Sequence, residues 1–340
     1  MIKLSINFSI NLSGKSWQLF RRKKRHSDFF LEVGKTIDRM AGARAKSTID
    51  NYRTALHSFQ SYLETVQSSS KSREQLSASS LTMEGYQRWL TEKGVSPNSV
   101  SCYMRSLRAL FKGLLPEADV NELFKNVFTG KERTEKRSIP IEDICKLQEL
   151  QLPAQSSLAW ARDMFLFSFY ALGIPFVDMA FLQKSQVKDG YMVYHRHKTG
   201  QRVCIKIEPP MQAIIRRYQR QDSSYLLPIM DATKNEGTCP GAVDKNTDLQ
   251  YETVRARHNR YLRRLSLMAH TQRVLTSYVA RHSWASTAYH SNVNLAVISK
   301  ALGHSSPNTT LTYIRSIDDQ RIDEANHMLL EKLKMKYKKG

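Results

Sequence analysis

The stretch LGHSSPNTTLTYI, residues 302–314, decides how the rest of the chain is read. Ser305 or Ser306 is placed to cap a helix and Pro307 suits its first position, where a missing N–H costs nothing. Tyr313 then follows His304 by nine residues. A tyrosine at that distance from a histidine, on a separate short helix, has two physical readings. One is packing. The other is a phenol nucleophile whose histidine attends the same phosphate.

Working outward, SYVARHSWAS at 277–286 puts Arg281 and His282 at the head of a helix. The planar guanidinium fork matches phosphate oxygens, and a helix N-terminus adds partial positive charge and free N–H groups. Further upstream, YMVYHRHKTGQRVCIKI (191–207) reads as two strands with HKTGQ, and so Lys198, at the turn between them. Each of these has a plainer explanation alone: a capping arginine, a solvated turn lysine, a histidine at a helix junction.

Lys+Arg number 52 against 31 Asp+Glu, a net charge of +21, which points to a polyanionic partner. The four cysteines, Cys102, Cys145, Cys204 and Cys239, show no metal-ligand spacing, so reduced thiols in a cytoplasmic protein fit best. There is no apolar run of membrane-spanning length. The N-terminus alternates apolar and polar residues (Ile2, Leu4, Ile6, Phe8, Ile10, Leu12), suggesting a strand or extended arm rather than a secretory signal. RRKKR at 21–25 reads either as a disordered basic arm or as a contact to a DNA backbone.

Helical periodicity dominates the rest. Ile49, Tyr52, Leu56, Phe59, Leu63 and Val66 form one amphipathic face. A second helix is expected over 81–91, and Ser96 with Pro97 starts a third, whose buried stripe is Val100, Tyr103, Leu107, Leu110 and Leu114. Arg105, Arg108 and Lys112 lie off that stripe and are candidates for DNA contact. TGKERTEKRS (129–138) lacks an apolar period and reads as a linker. Beyond it, helices are expected at 142–150, 157–172, 210–219, 249–269, 280–290 and 294–302. In 254–265, Val254, Tyr261, Leu262 and Leu265 form a core stripe, while Arg257 and Arg264 are candidate phosphate contacts. The expected organisation is an N-terminal arm (1–40), a helical domain (41–128), the linker, a larger domain with a small sheet (139–318), and a C-terminal helix with a basic tail (319–340).

In order, HKTG, then Arg-His, then Leu-Gly-His, then tyrosine nine residues later, the chain resembles the tyrosine recombinases of the phage-integrase superfamily over about 45–320. The helical domain looks like that family's core-binding domain, and GIPFVDMAFLQKSQV (173–187) resembles the box that opens its active site. The resemblance implies a mainly α fold with a small β-sheet, made of a SAM-like core-binding domain and a catalytic domain clamped on double-stranded DNA. It implies a tetramer on paired sites, held near the nucleoid, with no metal, ATP or other cofactor. It also implies roles. Tyr313 attacks the phosphodiester to give a 3′-phosphotyrosine, Arg281 clamps the non-bridging oxygens, Lys198 protonates the leaving 5′ oxygen, and His304 contacts the phosphate or assists Tyr313. The C-terminal segment, with Ala325, Met328, Leu329, Leu330 and Leu333, suits docking on a neighbouring subunit or packing on its own core.

The sequence departs from the family pattern twice. Tyr278 stands where histidine is usual, three residues before Arg281, and can still make one hydrogen bond. Pro175 stands where the first arginine is usual and cannot bind phosphate. Either Arg162, Arg196 or Arg202 takes over, or activity is reduced or lost. Asp178, the acidic residue of that box, is expected to orient Arg281 or a backbone amide. Only about 30 to 40 residues precede the helical domain, which favours a DNA invertase or resolvase-like enzyme over an integrase with a large arm-binding domain. The competing classes are a DNA-binding regulator on the same fold, supported by Pro175, and a topoisomerase with little sequence preference.

Overall fold

The computed structural model describes residues 8–12, 15–17, 28–69, 76–78, 80–132, 137–230, 245–304, 307–311 and 327. The chain divides into two compact units, Met1–Thr134 and Glu135–Gly340.

The first unit contains β1 (Phe8–Leu12), β2 (Lys15–Trp17), α1 (Asp28–Met40), α2 (Lys46–Ser69), β3 (Leu76–Ala78), α3 (Ser80–Glu92), α4 (Pro97–Lys112) and α5 (Glu117–Leu123). α4 begins as its sequence dictates: Ser96 Oγ accepts the Ser99 N–H at 3.4 Å, and Pro97 is the first helical residue. Phe59 and Leu63 of α2, Met83 and Tyr86 of α3, and Met104 and Leu107 of α4 are fully buried together. Residues 28–40, expected as the end of an arm, instead form a helix. Val33 and Ile37, four apart on one face, pack with Ile49 and Leu110, so α1 closes the side of the bundle that α2 and α4 leave open. β1 falls within the expected alternation and pairs antiparallel with β2 and parallel with β3. The RRKKR run lies outside the described residues.

α5 was not anticipated, and it changes the surroundings of the basic face of α4. Arg108 donates to Asn121 Oδ1 at 2.7 Å and Lys112 pairs with Glu117 at 2.7 Å. Arg105 remains exposed, with Nε on the Ser101 carbonyl. The Lys112 pair is exposed and worth about 0–1 kcal/mol, so it can be exchanged for a phosphate at little cost.

The second unit contains α6 (Ile141–Glu149), α7 (Ser157–Tyr170), α8 (Phe176–Ala180), β4 (Val187–Lys188), β5 (Tyr191–His195), β6 (Arg202–Lys206), α9 (Pro209–Arg217), α10 (Lys245–Met268), α11 (Val279–His290), α12 (Leu295–Ala301) and α13 (Pro307–Leu311). α7 is buried all round, as its nearly continuous apolar sequence requires, and α6, α9, α10 and α11 pack on it. It stops at Tyr170 because Leu172 and Gly173 take positive φ, 58° and 70°. β4, β5 and β6 form an antiparallel sheet in that order. Met192, Tyr194, Val203 and Ile205 face the core, while His195 and Arg202, paired across the strands, face out. The fold is therefore mainly α with small sheets. Among the described residues no helix is long and apolar enough to cross a membrane. The expected C-terminal helix lies outside the described residues apart from His327.

One core contact is titratable. His258 of α10 is 1% exposed, stacks on Phe176 at 4.4 Å and meets Trp160 edge-on. Its Nε2–H donates to the Ala161 carbonyl at 3.1 Å, so Nδ1 is the bare nitrogen. Burial lowers its pKa to about 4. Between roughly pH 6.5 and 4 the unfolded chain binds the extra proton and the folded one does not. Stability held above pH 6.5 is thus lost as pH falls through that window, by up to about 3 kcal/mol. Urea midpoints measured from pH 7 to 4.5 should fall less steeply in His258→Gln than in the unaltered protein.

Candidate active site

Four segments of the second unit meet at one place. The α7–α8 segment brings the backbone of Gly173 from the loop and the side chain of Asp178 from α8, the β5–β6 turn brings Arg196 and Lys198, α11 brings Arg281, and the C-terminal end of α12 brings Leu302, Gly303 and His304.

Arg281 is only 2% exposed. Its Nη1 donates to the Gly173 carbonyl at 2.8 Å, while Nη2 donates to the Leu302 carbonyl at 2.5 Å and lies 3.1 Å from His304 Nε2. A guanidinium can only donate, so His304 Nε2 is the acceptor and Nδ1 carries the proton. Nδ1–H then donates to Thr310 Oγ1, 2.9 Å away and fully buried. The imidazole is held neutral. Desolvation, followed by the charges of Arg281, Arg196 and Lys198, lowers its pKa to about 4.

Arg196 reaches the same carbonyl from the other side. It is 8% exposed, with Nη1 on the Leu302 oxygen at 2.6 Å and on the Gly303 oxygen at 3.3 Å, and Nε on Asp178 Oδ2 at 3.2 Å. The other Asp178 oxygen accepts the His197 N–H at 2.9 Å. Burial raises the Asp178 pKa, while the His197 amide and the arginine charges pull it down. Asp178 thus takes one of its expected roles, holding a backbone amide, and also holds Arg196. Both glycines have a steric reason. At Gly303 (φ +61°) a Cβ would lie 2.8 Å from Arg196 Cδ, and at Gly173 (φ +70°) it would lie 2.8 Å from Arg281 Cα.

Lys198 sits exposed in the β5–β6 turn, two residues beyond Arg196. Tyr278 is the residue before α11, 40% exposed, with its ring edge-on to His282 at 5.1 Å. Pro175 precedes α8 with φ −63°. Of the three arginines considered in its stead, Arg162 is committed to Asp163 (3.0 Å) and the Leu150 carbonyl (2.7 Å), and Arg202 is exposed at the start of β6. Tyr313 lies outside the described residues, three positions beyond Thr310. On α10, Arg257, Arg260 and Arg264 are exposed and share one flank at steps of three and four, with Arg257 also over the Trp160 ring at 5.6 Å. Sequence reading did not anticipate Thr310, nor the backbone oxygens of Leu302 and Gly303. The signal for Arg196 was its place two residues before the turn lysine.

The family model of the phage integrase family matches residues 154–320, and that of the phage integrase SAM-like domain matches 28–113. Tyrosine recombinase XerA of Pyrococcus furiosus is 26% identical over 234 residues, covering 66% of this chain and 72% of its own. A tyrosine recombinase of Pseudothermotoga lettingae is 29% identical over 72 residues, a match spanning 25% of that relative's length. Among solved structures, a lambda integrase dimer bound to a COC′ core site superposes with TM-score 0.59 at 16% identity, covering 84% of this chain and 93% of that one. XerH recombinase bound to a palindromic difH substrate gives 0.59 at 15%, covering 87% and 83%. At these identities the structures show a shared fold. The chain belongs to the phage integrase family of tyrosine recombinases, enzymes that break and rejoin DNA strands in site-specific recombination.

The His304–Thr310 bond yields a direct test. Thr310→Val leaves a buried Nδ1–H without its acceptor and should cost about 1–3 kcal/mol of stability, whereas Thr310→Ser should cost much less. Urea denaturation gives the cost. The ¹⁵N shifts of the His304 ring should show Nδ1–H in the unaltered protein and a tautomer mixture in the valine variant.

Proposed function

We propose that this protein cuts and rejoins double-stranded DNA at defined sites through a 3′-phosphotyrosine on Tyr313, and so inverts or integrates DNA segments. The observation that carries this reading is the convergence of Arg281 and neutral His304 on one point beside Arg196, with Lys198 in the adjoining turn and with His304 bonded to Thr310, three residues before Tyr313 in the sequence. A protein that only binds DNA has no need for a half-buried, neutral histidine bonded to a buried arginine.

In this reading the Tyr313 oxygen attacks phosphorus, forming the Tyr–O–P bond while the bond from phosphorus to the 5′ oxygen breaks. The phenol, protonated near neutral pH, passes its proton to His304 Nε2 as Arg281 turns its N–H from that nitrogen to the phosphate, and the leaving 5′ oxygen takes one from Lys198. Arg281 holds the charge that develops on the non-bridging oxygens, and loss of one such donor costs on the order of 100- to 1000-fold. Tyr278, half-exposed at the head of α11, can donate to the same phosphate. The phosphotyrosine keeps the energy of the broken bond, so rejoining requires neither metal nor nucleotide.

Arg257 and Arg264 on α10, with Arg260 between them, and Arg105, Arg108 and Lys112 on α4 are the proposed backbone contacts. They fix position, and base edges and DNA shape set the choice of site. A related lambda integrase structure is a tetramer bound to a Holliday junction, and we assign this protein the same working assembly on two paired sites, with the DNA in the cytoplasm. The C-terminal segment is its proposed docking element.

The test uses the purified protein and sheared DNA of its native host. After denaturation, fragments still bound to protein are recovered and sequenced. They should pile up at a short defined sequence, and Tyr313→Phe should give none. Adducts spread without sequence preference would indicate a topoisomerase. Site-specific binding without adducts would indicate a regulator. Affinity for the mapped site should fall ~10³- to 10⁵-fold between 50 and 200 mM salt if about 6 to 10 phosphates are neutralised.

A further inference from the structure

We infer that Arg196 is the second guanidinium on the scissile phosphate, acting in the place that Pro175 leaves without a cation. The inference rests on the recombinase reading above and adds to it a catalytic residue.

Geometry singles out Arg196. It and Arg281 come from different elements, the β5–β6 turn and α11, yet both end on the Leu302 carbonyl, at 2.6 and 2.5 Å. Two N–H donors within hydrogen-bond distance of one oxygen place the two guanidiniums side by side. The hydrogen bonds of Arg196 use Nε and Nη1, and among the described residues none uses Nη2. The side chain is nevertheless rigidly held, by Asp178 behind it and by two backbone oxygens beneath it. A fixed fork with one nitrogen left over, alongside the arginine that clamps the phosphate, is suited to a second non-bridging oxygen.

Charge supports the same assignment. A buried arginine with one carboxylate partner would form a closed pair, but here a second buried arginine stands beside it on the same carbonyl oxygen. Two like charges held together in a shielded place repel unless an anion joins them, and a phosphodiester is the anion this chemistry supplies. The other candidates lack this position, since Arg162 is tied to Asp163 and Arg202 lies on the outer face of the sheet.

During cleavage Arg196 gives up no proton. The Tyr313 oxygen–phosphorus bond forms, the bond from phosphorus to the 5′ oxygen breaks, protons move to His304 and from Lys198, and Arg196 only donates N–H to an oxygen that gains charge.

The test therefore removes that charge from the DNA. Duplex oligonucleotides carrying the mapped site are made with either the natural phosphodiester or a methylphosphonate at the scissile position. Adduct formation is compared for the unaltered protein and Arg196→Ala, with site binding measured by gel shift. The expected result is a ~100- to 1000-fold loss on the phosphodiester and less than about a 10-fold loss on the neutral methylphosphonate. An equal loss on both substrates, with site binding retained, would make Arg196 a scaffold for Asp178 and the turn and overturn the inference. If Arg196→Ala loses site binding, Arg196→Lys is judged by the same ratio. If the unaltered protein forms no adduct on either substrate, the recombinase reading falls and the role of Arg196 with it.

Discussion

Everything at this site depends on one backbone oxygen. The Leu302 carbonyl, just past the last turn of α12, accepts from Arg281 on one side and from Arg196 on the other. A helix C-terminus has carbonyls with no partner inside the helix and a partial negative charge, so it is a natural seat for cations. Burying two guanidiniums without such partners would cost several kcal/mol each. The Leu-Gly-His motif is therefore a charge receptor as much as a source of histidine: Leu302 and Gly303 supply oxygens, and His304 supplies a neutral nitrogen. Gly303 is glycine because its φ of +61° and the Arg196 side chain leave no space for a Cβ.

The same oxygen ties together elements that are far apart in sequence. Gly173, at the end of the buried helix α7, holds the other end of Arg281, and Asp178 holds the other end of Arg196. A shift in α7, in the small sheet or in α12 would therefore move both arginines. Thr310 continues the chain of constraint by fixing the tautomer of His304, three residues before the tyrosine. The site is rigid where charge must be met, and its lysine is carried on an exposed turn.

Much of this was legible from the sequence. The stripes of α2 and α4, the cap at Ser96 and the strand–turn–strand around Lys198 follow from spacing and residue type, while Arg281 and His304 were picked out by the order of motifs that resembles the family. α1 was missed because the arm pattern before it was extended through to 40, although Val33 and Ile37 carry helical spacing. α5 is too short for its period to show, and it pairs with two of the basic residues assigned to DNA. Arg196 was one of three arginines that the sequence offered in place of Pro175, but nothing in the sequence chose among them. Its partners are backbone oxygens more than a hundred residues away, and a carbonyl leaves no mark in a residue pattern. Pro175 shows the converse limit: a pattern can reveal that a group is missing, but only three-dimensional placement can nominate what stands in for it.

The central claim is that Tyr313 makes and reseals breaks at defined sites. The most direct measurement is long-read sequencing of the native host's DNA, comparing the unaltered gene with Tyr313→Phe. The account predicts segments present in both orientations, or excised as circles, bounded by short repeats in the former and fixed in a single arrangement in the latter. Identical patterns of rearrangement in the two would contradict it.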